Sequence, residues 1–218
     1  MKYLDKYIEY INENKIEDFL YKHEIEGEIE KIKVSELIPA QSEIFLDEIV
    51  SNLLDKKKFV KKSLKGKLKD DEIIVSSDNY IIDGHHKWAS AFILNPDCKI
   101  KCTRVNLKLK NAIELLNDLL NTTNATSQRK SGLYKHNIYK LVKDDKDGMK
   151  KAIVKIFNKQ YGNEKKLLKK VKKKSNTDLH PLNFLINNIY NLPTPDKKKY
   201  NRKNMPQLSD DEIKEILD

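Results

Sequence analysis

Residues 73–94, IIVSSDNYIIDGHHKWASAFIL, constrain the fold of this 218-residue chain more tightly than any other stretch. Two apolar runs, Ile73-Ile74-Val75 and Tyr80-Ile81-Ile82, flank Ser76-Ser77-Asp78-Asn79. Side chains of that kind favour tight turns and tolerate left-handed backbone, so a β-hairpin is predicted. Asp83 and Gly84 follow, then His85, His86, Lys87 and Trp88, then an apolar run from Ala89 to Leu94 that suits a buried helix. The polar residues therefore fall on a strand-to-helix turn. Backbone N–H groups and the helix dipole make such a turn an anion site, and a glycine there lets a phosphate approach the backbone. Lys87 and the two imidazoles add charge and hydrogen bonds. The competing reading is structural, with Asp83 as a helix cap, Gly84 as a turn residue and the histidines solvated or satisfied in the core. Four functional groups at one junction favour a site.

The run Asp83-Gly84-His85-His86-Lys87-Trp88, after a strand and at the start of a helix, resembles the phosphate-binding box of the ParB/sulfiredoxin superfamily. The corresponding run is G-C-H-R in sulfiredoxins, G-E-R-R in ParB proteins and D-G-x-H-R-W in the free serine kinases of that fold, and the last is most similar. The resemblance covers roughly residues 29–107. His85 stands where sulfiredoxins carry their cysteine, so no sulfinate reduction is implied. Lys87 replaces the usual arginine, which keeps the charge and loses the bidentate fork. In the resembling families the first strand and the loop after it line the nucleotide pocket, and in the serine kinases that loop supplies a catalytic glutamate. Glu43 is the candidate here, with Gln41 as a neutral ligand or orienting group; Glu36 and Asp47 stay open, as does a plain surface role for Glu43.

Charge divides the chain. Residues 1–107 hold 18 Lys or Arg against 20 Asp or Glu, whereas residues 108–218 hold 25 against 13, so the formal net charge of +10 belongs to the C-terminal half. A basic face of that size points to nucleic acid or another polyanion, although an AT-rich genome also yields Lys-rich and Asn-rich composition. Cys98 and Cys102 are the only cysteines, with no second cluster to complete a zinc site, and are expected to be free thiols. No apolar run approaches the ~20 residues that span a bilayer, and Met1 to Asp5 does not open a signal peptide. A cytoplasmic protein without membrane association is expected.

Taken in order, Tyr3, Leu4, Tyr7, Ile8, Ile11, Ile16 and Phe19 predict an amphipathic N-terminal helix over residues 1–24. A strand is predicted from Ile29 to Val34, a helix over residues 44–54, a charged loop through the lysines from Lys56 to Lys69, and a last strand from Ile100 to Val105 after the stop signal Asn95-Pro96-Asp97. Strand, helix, hairpin, helix and strand make an α+β domain over residues 25–107, and the resemblance implies for it the ParB/sulfiredoxin-like small mixed sheet with packed helices. Residues 108–218 form a helical basic region. It contains a docking helix over 109–121, a polar linker over 121–131, a helical tract over 150–174, a short helix from His180 to Tyr190 and a last helix over 210–217. Lys165, Lys166, Lys169, Lys170, Lys172 and Lys173 share one side of the tract, as a DNA-contacting surface or a merely solvated one.

The leading functional expectation is binding of a nucleoside triphosphate or diphosphate with Mg2+, followed by phosphoryl transfer or hydrolysis, in a protein associated with DNA. Gly84, His85, His86 and Lys87 would hold the phosphates, Asp83 the metal or the acceptor, His86 the transferring group, and Glu43 would accept the proton. One alternative is a non-catalytic or nucleotide-gated DNA-binding module of ParB type. Another is a metal-dependent DNA nuclease using Asp83, His85 and His86.

Overall fold

The computed structural model describes residues 26–122, 136–144, 146–160, 164–175 and 177–195. The expected helices at 1–24 and 210–217, and the linker from residue 123 onward, lie outside these.

Five strands form one mixed sheet: β1 (Gly27–Lys33), β2 (Ile38–Pro39), β3 (Lys67–Val75), β4 (Tyr80–Asp83) and β5 (Lys99–Val105), in the order β1-β5-β3-β4-β2. β1 runs antiparallel to β5 and β3 antiparallel to β4, while β3 with β5 and β2 with β4 are parallel. The hairpin forms as its sequence predicts. Asn79 takes φ +67°, and the Ser76 hydroxyl accepts the Tyr80 N–H at 2.9 Å and donates to Asp78 at 2.6 Å. Arg104 then ties the first strand to the turn, with Nε 2.8 Å from Glu30 Oε1 and Nη1 2.9 Å from the Ser76 carbonyl.

Helices cover both faces. α1 (Leu46–Asp55), α2 (Lys57–Ser63) and α3 (His85–Leu94) lie on one face, α4 (Leu109–Thr122) on the other. α4 seats Leu109, Ala112 and Ile113 on Ile74, Tyr80, Ile82 and Val105. The charged loop expected from Lys56 to Lys69 is a helix followed by the start of β3. Phe59, Val60, Leu64 and Leu68 are buried among the lysines, and that burial outweighs the surrounding charge. Four further helices complete the described chain: α5 (Ile138–Asp144), α6 (Lys146–Gln160), α7 (Glu164–Lys174) and α8 (Pro181–Tyr190). Their residues Ile138, Ile153, Leu167, Val171, Leu185 and Ile189 belong to the same core as Ile49, Trp88, Phe92 and Ile100. Asn188 closes the contact by donating to the Ile93 carbonyl at 2.8 Å. The change of composition at residue 107 is thus not a boundary of the core, and the α+β class holds for the described chain as a whole.

Candidate functional site

β4 leads into α3 through Gly84, which is the N-cap residue with φ +90° and no side-chain cap. Asp83, weighed as a cap from the sequence, is instead the exposed last residue of β4. A Cβ on Gly84 would lie 2.5 Å from Ile73 Cγ2. The glycine is therefore needed for contact with β3 as well as for its left-handed backbone, which is a different reason from the phosphate approach expected.

Both histidines are buried, at 4% and 9% exposure, and both face the loop between β2 and α1. His85 Nε2 accepts the backbone N–H groups of Ala40 and Gln41 at 3.1 and 3.2 Å. His86 Nε2 accepts the Phe45 N–H at 3.0 Å, its ring stacks on Phe45 with centroids 6.1 Å apart, and its Nδ1 lies 3.3 Å from Glu48 Oε1. Accepting from an N–H requires a lone pair on Nε2, so each ring carries its neutral-state proton on Nδ1. Both Nε2 atoms thus meet the backbone of the loop rather than open space. The two histidines act as positioning residues for residues 40–45.

That docking brings together two segments chosen separately from the sequence. Gln41, 8% exposed, sits against His85, and Glu43 is half-buried between the two anchored stretches. Lys87 is half-buried on the first turn of α3. The loop is fastened from its far side too. Leu46 N–H donates to the His136 carbonyl, Ile138 N–H to the Ile44 carbonyl, and Asn137 Nδ2 to the Ser42 carbonyl at 3.1 Å. His136 Nδ1 lies 3.1 Å from Asp47 Oδ2. Of the carboxylates left open for Glu43's role, Asp47 is thus engaged with His136. Nothing in the sequence points to Glu48 or Asn137; only their fold-level neighbours give them a role.

Among the described residues no three His, Cys, Asp or Glu side chains gather as a metal-binding group. A single carboxylate such as Asp83 still fits Mg2+ carried by phosphates, since that ion keeps water and takes one or two carboxylates in nucleotide sites. Cys98 and Cys102 are buried free thiols, and burial pushes the Cys98 thiol up to about 12, leaving it no nucleophile at neutral pH. On α7, Leu167 and Val171 turn inward while Lys165, Lys166, Lys169, Lys172 and Lys173 are exposed and Lys170 is half-buried. No helix among the described residues is long and apolar enough to cross a membrane. Compared with protein-family models, with curated proteins and with solved structures, the chain matches none.

Proposed function

We propose that the chain is a ParB-like nucleotide-binding protein whose ligand lies between the Asp83–Lys87 turn and the loop over residues 40–45, and that the site carries out phosphoryl transfer or nucleotide hydrolysis. The observation that supports it is the docking of the loop bearing Gln41 and Glu43 onto the first turn of α3 through both imidazoles. In this reading the N–H groups of the turn and Lys87 hold phosphate, and Asp83 takes the Mg2+ that accompanies it. Glu43 accepts a proton from the acceptor, Gln41 orients it, and His85 and His86 keep the loop in place.

A nucleotide panel with Mg2+, scored for thermal shift and for product, tests this. A nucleotide at ~100 times its dissociation constant adds ~2.7 kcal/mol to stability. Asp83→Asn, exposed and away from the core, should lower turnover by at least ~100-fold with the melting temperature of the free protein unchanged. If no nucleotide or inorganic phosphate shifts the melting temperature, the site reading fails.

A second reading is the non-catalytic DNA-binding module, favoured by the exposed Lys165, Lys166, Lys169, Lys172 and Lys173 on α7. The exposed lysines of α7 would then contact DNA phosphates. Nucleotide binding without product, together with salt-dependent DNA binding, selects it.

A further inference from the structure

α4 covers only part of its face of the sheet. It packs over Ile74, Tyr80, Ile82 and Val105, and beyond it, where β3 and β5 begin and β1 ends, the face is made of lysines. Strand alternation assigns them. Ile32, Leu68 and Ile100 point into the main core, so Lys31, Lys33, Lys67, Lys99 and Lys101 point away from it. The register sets Lys33 opposite Lys99 and Lys31 opposite Lys101 in the antiparallel pair, and Lys67 beside Lys99 in the parallel one. Lys31, Lys67 and Lys99 are exposed, and Lys33 and Lys101 half-buried.

The acidic residues of β1 fall on the other face, where Glu30 holds Arg104. Asp97 lies 3.8 Å from Lys33 on the lysine side, and in the backbone register Glu72 pairs with Lys101. Like charges directly across strands destabilise a sheet. The register of Lys31 with Lys101 and of Lys33 with Lys99 concentrates positive charge on this face, which a polyanion would complement.

We propose that this lysine face is a docking surface for the sugar-phosphate backbone of nucleic acid. Strands ~4.8 Å apart, with same-face residues ~6.7 Å apart along each, confine the five cations to a patch about 10 Å across. Duplex DNA carries one negative charge per ~1.7 Å of axis, a density that matches such a patch. An extended acidic peptide offers same-face charges only every ~6.7 Å. Lysine is a point charge without the guanidinium fork, and among the described residues of this face no aromatic side chain stands between the lysines to stack a base. The contact is therefore to phosphate and independent of sequence. It uses no residue of α7 or of the Asp83–Lys87 turn, so it stands whichever reading of those holds.

The test is binding of full-length protein to mixed-sequence duplexes of about 20 base pairs over a salt series. Log affinity should fall linearly with log salt, and the variant K31Q/K33Q/K67Q/K99Q should flatten the slope by roughly 0.9 for each phosphate no longer neutralised, up to ~3.6, on every sequence. Its melting temperature should stay close to that of the parent, because the four side chains point away from the core. The fourfold Lys→Arg variant should keep binding. The variant K165Q/K166Q/K169Q/K172Q/K173Q, altered on α7 alone, should retain the sheet's share of the slope, which separates this surface from the helix. Unchanged affinity and slope in K31Q/K33Q/K67Q/K99Q, no duplex binding by the parent at low salt, or equal competition by polyglutamate or anionic vesicles at matched charge would each overturn the proposal.

Discussion

At Gly84 two demands meet, a φ of +90° and an Ile73 methyl 2.5 Å from where a Cβ would stand. Gly84→Ala should therefore lower stability by about 2–5 kcal/mol, the sum of overpacking and left-handed backbone. Urea unfolding would read this as a lower midpoint with an unchanged slope. Ile73→Ala removes the obstructing methyl, so the double variant should lose clearly less than the two single losses added together. The need for a turn residue at Gly84 was legible, because polar residues between an apolar strand and an apolar helix leave few other conformations. The roles of His85 and His86 were not. Their partners are backbone N–H groups of Ala40, Gln41 and Phe45, some forty residues away, and a backbone donor leaves no trace in side-chain identity.

Elements with a clean apolar period were readable: α1 through Ile49, Val50, Leu53 and Leu54, and the hairpin through its two runs. α2 was hidden because Lys57, Lys58, Lys61 and Lys62 surround its buried Phe59 and Val60, and charge density reads as a loop. The start of α4 depends on another element altogether. Asp78, in the hairpin turn, accepts the Leu109 N–H at 3.0 Å. Asp78→Ala should cost about 1 kcal/mol, as loss of a helix cap does. Amide exchange should accelerate in the first turn of α4 and around the turn; acceleration spread evenly over the sheet would show that Asp78 does not act as a cap.

For the whole molecule, the division by charge and the division by packing differ. Net charge counts surface residues, while cohesion depends on a few inward side chains that the lysines outnumber, so composition could not show that the basic half shares the main core. A chain ending at Thr122 would lack Ile138, Ile153, Leu167, Val171, Leu182, Leu185, Ile186 and Ile189. At ~1.5 kcal/mol or more for each buried side chain, that loss matches the ~5–15 kcal/mol by which a whole domain is stable. The truncated chain should give no cooperative melt by circular dichroism, and a sharp transition would show that the sheet half folds alone. The strand order carries a consequence in time. β5 lies between β1 and β3 yet comes last in the chain among the described strands. During synthesis the β5 residues that pair with β1 emerge some seventy residues after it, so joining β1 to the sheet is a long-range contact of the kind that slows folding.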